Sequence, residues 1–314
     1  MRYISEALSS QLISHDLAFD AVKAAFIAAS EQAKLFPVVI AEGTPKNSVF
    51  SLKSANTKKL AGWKTGSYWP GNVAKNIACH ASTIFLLDQN NGHLDTVIEA
   101  STVNAYRTAA ADAVAVSVLA RKDASCLTII GTGHQALYEC LAVSLVRDIK
   151  RILIVGRSNE KAQMMVDRLA SVGIYAQAEE AEKACRLADI IITATTAQSA
   201  LFSAEWVQAG THISAMGADA IGKQELPSKL FEHADLYCDF TSQSIVIGEF
   251  QHAEKNMEIN KLTMIGEVLS GRVQGRKNST DITIFDSSGI AVQDLFIGQY
   301  LLNAALDAGH SLEC

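Results

Sequence analysis

The sequence predicts a mixed α/β protein. A Rossmann dinucleotide-binding domain, with a doubly wound parallel sheet, is inserted into a second α/β domain built from both ends of the chain. Three observations predict this. Short apolar runs alternate with helical segments through the middle of the chain. A glycine-rich turn follows the first of those runs. Strand-like runs separated by polar turns fill the region before them.

Residues 15–33 carry Ala, Phe and Ile at helical spacing and predict a helix. The runs FPVVIA (36–41), SVFSLK (48–53), LAGWKTG (60–66), STIFLLD (82–88) and LDTVIEA (94–100) read as strands. Clusters of Gly, Asn and Asp between them predict hairpins, with a clear turn at Asp88 to Gly92. Residues 102–120 predict an Ala-rich helix with Thr102 as N-cap and Arg107 in its second turn. The pattern then changes. CLTII (126–130), RILIV (151–155), DIIITAT (189–195), THISAM (211–216) and ADLYCD (234–239) are short apolar runs, with helical segments predicted between the first four. TIFD (283–286) predicts a last strand, and an amphipathic helix near 292–308 predicts a return to the first domain. The expected domains are residues 1–118 plus 292–314, and 119–291.

Composition narrows the class. Nearly half of the 314 residues are hydrophobic and 19% are charged, ample for a large core. The net charge of −6, with both signs mixed along the chain, argues against a nucleic-acid or membrane-surface partner. No apolar run approaches the about 20 residues of a membrane-spanning helix. The N-terminal MRYISEALSS lacks the apolar core of a signal peptide. The cysteines Cys79, Cys126, Cys140, Cys185, Cys238 and Cys314 form no CxxC pair, so a reduced, cytoplasmic protein is expected. The histidines show no metal-ligand spacing, and no metal site is expected.

Gly131-Thr132-Gly133-His134-Gln135-Ala136 follows the strand CLTII and opens a helix. In that context GxGxxA fits a dinucleotide. The first glycine permits the tight turn, the second lets the backbone approach a pyrophosphate, and the small sixth residue allows close helix–strand packing. The helix N-terminus adds free N–H groups and a favourable dipole. The bland alternative is an ordinary glycine-rich turn. At the end of the second strand, NAD-selective proteins place an acid on the ribose hydroxyl; here Arg157 and Ser158 follow Gly156. A cation and a hydroxyl suit a 2′-phosphate, so NADP(H) is expected ahead of NAD(H). Otherwise Arg157 is a solvated loop residue. Thr195, Met216 and Gly217 fall at the carboxyl ends of later strands, where such sheets bind ligands, and join the cofactor candidates.

Lys53, Lys64 and Arg107 are candidates to hold a small acid's carboxylate. Arg107 lies in an otherwise apolar helix, where a buried guanidinium needs an anionic partner. Lys53, in the alternating FSLKSA, reads equally as a surface charge. Asp219 follows THISAMGA at a strand's carboxyl end, placed to relay a proton or orient Lys64, or else to cap the following segment.

These residues lie in GWKTGSYWPGN (62–72), EASTVNAYRTAAADAVA (99–115), GTGHQA (131–136), SAMGADAIGKQEL (214–226) and FDSSGIAVQDL (285–295). With these segments in this order and spacing, the chain resembles the ornithine cyclodeaminase/mu-crystallin family over nearly its whole length. The resemblance implies a homodimer whose terminal segments form a substrate-binding and dimerisation domain. It implies NAD(H) or NADP(H) as cofactor. It also implies a carboxylate clamp of Lys64 and Arg107, with Asp219 near the reacting carbon. The implied reaction is NAD(P)H-dependent reduction of a small α-imino or α-keto acid to an α-amino acid, with Lys64 or Asp219 handling the proton.

The chain departs from the family pattern in places. Ornithine cyclodeaminases place a glutamate 13 residues before the lysine that matches Lys64, and Ser51 stands there. Many members carry an arginine before the second strand; here Lys46 is the nearby cation, and Lys53 is a candidate substitute. FSLKSA, KTGSYWPGN, CHASTIFLLD and IGEFQHA resemble the branch that contains iminosuccinate reductase, in which Lys53 and His80 are candidates for a second substrate carboxylate. The alternatives within the family are an NAD-recycling cyclodeaminase, an alanine dehydrogenase and a non-catalytic ligand binder of the crystallin kind.

Overall fold

The computed structural model describes residues 1–253 and 262–312. Its contacts divide the chain into two units, Met1–Arg107 with Ile290–Cys314, and Thr108–Gly289. The division falls inside the helix Ser101–Leu119, not at that helix's end, where the sequence pattern changes.

In the first unit, strand β1 (Arg2–Ile4) and helices Glu6–Leu12 and His15–Glu31 precede β2 (Lys34–Leu35), β3 (Val39–Glu42), β4 (Val49–Asn56), β5 (Ala61–Tyr68), β6 (His80–Leu87) and β7 (Leu94–Glu99). The sheet order is β1-β7-β6-β5-β4-β2, with β3 also beside β4. The strand expected over 36–41 is β3, which starts only at Val39; Pro37, which has no N–H for a ladder, separates it from the additional short strand β2. Strand β1 and the helix Glu6–Leu12 are additions to the expected elements.

The C-terminal helix Ala291–Asp307 packs on one face of this sheet. Gly298 lets it come close. A Cβ there would lie 3.0 Å from Ile98 Cδ1 and 3.1 Å from Ile84 Cγ2. Leu295, Leu301, Leu302 and Ala305 are buried on this helix, and Ala18, Val22, Ala25 and Phe26 are buried on the helix His15–Glu31 that packs against it. Across the sheet, Lys53 pairs with Lys64, Lys64 with Ile84, and Ile84 with Ile98, so these side chains share one face. Thr102 does not cap the following helix. That helix begins at Ser101, and the Glu6 carboxylate accepts from the N–H groups of both Ser101 and Thr102 at 2.8 Å. A remote carboxylate thus meets the positive helix end, and Thr102 becomes a first-turn residue.

The second unit holds β8 (Cys126–Ile130), helix His134–Val146, β9 (Arg151–Val155), helix Asn159–Ser171, β10 (Gln177–Ala178), helix Ala181–Leu187, β11 (Ile190–Thr193), β12 (His212–Ala215), β13 (Asp235–Cys238), β14 (Leu262–Met264) and β15 (Thr283–Asp286). All its strand pairs are parallel, in the order β10-β9-β8-β11-β12-β15-β13-β14. The central strands are apolar because both faces are covered. One expected element differs. Between β11 and β12 there is a 3₁₀ turn at Ala204–Trp206 in place of a helix. Of the cysteines, Cys126, Cys140, Cys185 and Cys238 are buried thiols and Cys79 is half-buried; Cys314 lies outside the described residues. Among the described residues, no helix is long and apolar enough to cross a membrane.

Candidate functional site

In the first unit, three elements bring charge together. Lys64 enters from β5, Arg107 from the helix after β7, and Asp294 from the first turn of the C-terminal helix. All three are buried. Lys64 Nζ lies 3.0 Å from Asp294 Oδ1, and Arg107 Nε lies 3.5 Å from the same oxygen. Asn104, one helical turn before Arg107, accepts with one Oδ1 from Lys64 Nζ at 3.0 Å and from Arg107 Nη2 at 2.8 Å. Gln293 Oε1 lies 3.5 Å from Arg107 Nη1 and accepts the Ile290 N–H at 3.0 Å. The cluster borders a narrow recess lined also by Ser82, Ile84, Val103 and Ile297.

Burial pulls the Lys64 ammonium down to about 8. Asp294 opposes that pull, while the positive charges of Arg107 and Lys53 reinforce it. A lysine with three N–H donors and an arginine with five are here fixed by one carboxylate, one amide oxygen and, for the arginine, a second amide at longer range. The remaining donors suit a small carboxylate.

Lys53 is half-buried beside Lys64 on the same sheet face. His80 shares that face too, but four residues further along β6 from Ile84, roughly 13 Å at strand rise. Its ring tilts against Tyr68 at 4.7 Å. Ser51, where cyclodeaminases carry glutamate, faces the same way and pairs with Gly66.

In the second unit, the GxGxxA loop joins β8 to helix His134–Val146 at the sheet's carboxyl edge. Gly131 has φ +138°, and a Cβ there would lie 2.5 Å from the Ala194 carbonyl oxygen. A Cβ on Gly133 would meet nothing within 4 Å, so the space above it is open. Gly133 is the N-cap and offers no side-chain acceptor to the first-turn N–H groups. Thr132 packs toward Gly156, and Ala136 is fully buried. Gln135 donates to Glu139 at 2.8 Å, and the exposed His134 ring lies 5.0 Å from Tyr138. A glycine cradle with an uncapped helix N-terminus and a buried small residue behind it fits a pyrophosphate.

Arg157 and Ser158 are exposed just beyond β9. The Ser158 hydroxyl caps the next helix by accepting the Lys161 N–H at 3.3 Å. At the ends of β11 and β12, the buried Glu225 carboxylate gathers Thr195 and Gly217. One oxygen accepts Thr195 N–H (2.6 Å) and Oγ1–H (2.7 Å); the other accepts Gly217 N–H (2.9 Å) and Thr193 Oγ1–H (2.7 Å). Met216 is buried between them. Asp219 is exposed and pairs with Lys223, Nζ to Oδ1 2.5 Å. Asp219 thus has its partner in Lys223, and Lys64 has partners in Asp294 and Asn104, each within its own unit.

Sequence reasoning missed Asn104, Gln293, Asp294 and Glu225. Asp294 had a usable signal, since an acid among the apolar residues of AVQDLFIG raises the same question of a partner as Arg107 does. Asn104 sits at i−3 from Arg107, the spacing of helical neighbours.

Comparison with known proteins gives three kinds of match. The family model "Ornithine cyclodeaminase/mu-crystallin family" matches residues 4–309. The iminosuccinate reductase of Paracoccus denitrificans is 33% identical over all of this chain and 99% of its own length. Its crystal structure with NAD+ superposes with a TM-score of 0.93 at 32% identity, covering 100% of this chain and 99% of that one. An archaeal alanine dehydrogenase dimer with bound NAD gives 0.91 at 31% identity, covering 100% and 99%. The Δ1-pyrroline-2-carboxylate reductase of Thermococcus litoralis, in complex with NADH and L-proline, gives 0.90 at 27% identity and covers both chains fully.

Proposed function

This chain belongs to the ornithine cyclodeaminase/mu-crystallin family, and on that premise we propose that it is an NAD(P)H-dependent reductase of a small α-imino acid, forming an α-amino acid. The observation that carries the reading is the buried cluster of Lys64 and Arg107 on a single carboxylate, Asp294. Two buried cations against one anion leave a positive site that suits a substrate carboxylate.

A nicotinamide dinucleotide, when bound, supplies the hydride. Gly131, Gly133 and Ala136 would hold its pyrophosphate, and Thr195, Met216 and Gly217 the far side of the same sheet edge. Arg157 and Ser158 favour NADP(H): the three positions directly after β9 are Gly156, Arg157 and Ser158, none of them an acid, and the Ser158 hydroxyl keeps its proton to donate while capping its helix. Lys64 and Arg107 would orient the acid. Lys64, titrating near 8, also suits proton transfer at neutral pH. Asp219, held by Lys223, is assigned a proton-handling role on the resemblance.

Ser51 on the Lys64 face argues against cyclodeaminase chemistry, because no carboxylate stands there for a side-chain ammonium. Lys53 beside Lys64 favours a second substrate carboxylate, as in iminosuccinate. A second copy of this chain is the proposed partner. The sheet face opposite Lys64 presents Tyr3, Val97, Phe85 and Trp63 in one row and Phe50 beyond, with Tyr3 38% and Phe50 44% exposed.

The test is oxidation of NADPH and NADH with two substrates in parallel: Δ1-pyrroline-2-carboxylate, and iminosuccinate formed from oxaloacetate and ammonia. Fast turnover of iminosuccinate supports the dicarboxylate arm and a role for Lys53. Fast turnover of the cyclic imine supports a ketimine reductase. Ammonia release from ornithine without net NADH consumption, ammonia-dependent reduction of pyruvate alone, or dinucleotide binding without any turnover would each replace the reading.

A further inference from the structure

Asp294 has no role in the substrate chemistry set out above, yet it is the most buried member of the charged cluster. We infer that Asp294 is an internal counter-ion that positions Lys64 and Arg107 to receive one substrate carboxylate, without itself touching the reacting atoms. The inference rests on the proposed carboxylate-binding role of Lys64 and Arg107.

Two cations side by side in a buried site repel each other, and neither is sheltered by bulk water. One Asp294 oxygen faces both. Asn104 supplies a second shared acceptor but no charge. The groups that face Lys64 are few. Lys53 approaches from β4, Arg107 from its helix and Asp294 from the C-terminal helix, while β6 and β7 present Ile84 and Ile98 in the same row. Glu42 and His80 share the face but sit four residues along their ladders. Asp294 is therefore the one carboxylate in this set placed to hold the lysine in its charged form. Without it, burial and two neighbouring positive charges all favour the neutral amine.

Asp294→Asn removes the charge and keeps the shape. Lys64 should then lose its proton at lower pH. The alkaline limb of kcat/KM for Δ1-pyrroline-2-carboxylate or iminosuccinate, whichever is turned over, should move from near 8 in the parent down by about one to three pH units. kcat/KM should fall at neutral pH and recover as the pH falls, with dinucleotide affinity little changed. Asp294→Glu keeps the charge and should keep the limb near its parent position. It carries the test alone if Asp294→Asn does not fold, since a limb displaced in Asp294→Glu by as much as one unit would overturn the inference.

A uniform loss of activity at every pH in Asp294→Asn would mean a merely structural role and would also overturn it. The control is Lys64→Met. If that variant keeps full turnover, the proposed clamp itself fails. If Lys64→Met is inactive while Asp294→Asn keeps the parent pH profile, only the positioning role of Asp294 fails.

Discussion

Glu225 offers a sharp test of how the sheet's carboxyl edge is held. Its two oxygens each accept one backbone N–H, Thr195 on one and Gly217 on the other. Asp or Ala in its place would also change reach or volume, so Glu225→Gln is the informative substitution. Whichever way the amide turns, its NH2 group must face one of those two backbone N–H groups. One buried donor is then left without an acceptor, at a cost of about 1–3 kcal/mol. The threonine hydroxyls can rotate to donate elsewhere or accept, so Thr193 and Thr195 lose little more. The charge assistance of the remaining bonds is also lost. Against this stands relief of a buried charge, whose cost raises the Glu225 pKa, with the Thr195 and Thr193 bonds opposing. A net destabilisation of about 2 kcal/mol is expected. Urea unfolding measures it, and NADPH fluorescence titration should show weaker binding, because the backbone at Thr195 and Gly217 is released. An unchanged urea midpoint with unchanged NADPH affinity would refute the claim that this carboxylate shapes the cofactor edge.

Three further outcomes are expected. Gly131→Ala must place a Cβ 2.5 Å from the Ala194 carbonyl oxygen at φ +138°, so NAD(P)H binding should be lost in a fluorescence titration, and wild-type affinity would contradict the loop's assigned role. Arg157→Ala should raise the KM for NADPH roughly tenfold, the equivalent of one charged hydrogen bond, and leave that for NADH unchanged; equal effects on both would argue against a 2′-phosphate contact. Burial pushes the Asp112 carboxyl up to about 7, with Ser214 and Glu139 pulling the other way. The folded state thus retains a proton that the unfolded chain releases near pH 4, so stability should fall as the pH rises between about 4 and 7. Asp112→Asn should flatten that slope in urea midpoints taken across the range.

The fold was legible where period and punctuation agree. The central strands β8, β9, β11 and β12 are short apolar runs, and the glycine turn after β8 marks the step from strand to helix at the sheet's carboxyl edge. Elements held by non-local pairing were not legible. Strand β1 has three residues and exists through its pairing with β7. β10 and β14, of two and three residues, are extensions of a sheet already formed. The cap on helix Ser101–Leu119 comes from Glu6, far away in sequence, so no local motif could announce it. The site followed the same rule. Arg107 stood out as a cation in an apolar helix and Lys64 as a cation on a strand-like run, whereas their partner Asp294 arrives from the other end of the chain.

Burial of an acid does not by itself mark function here; the kind of partner does. In the second unit, Glu225 accepts from the backbone of Thr195 and Gly217, Glu249 from that of Glu225 and Leu226, Asp286 from Glu249, and Asp239 from Phe240 and Gly289. Each ties a connecting segment to another such segment or to a strand end, and each satisfies N–H groups that would otherwise be buried without an acceptor. Burial raises Asp286 well above the usual carboxylate range and Glu249 to about 7, the cost of that work. Asp294 differs, since its oxygen faces the side-chain nitrogens of two cations and braces no loop. A protein that needed only to stabilise this helix against its sheet could do so with apolar residues at lower cost. Three buried charges on facing elements, with donors left over on the two cations, make sense when a fourth charged group arrives from solution.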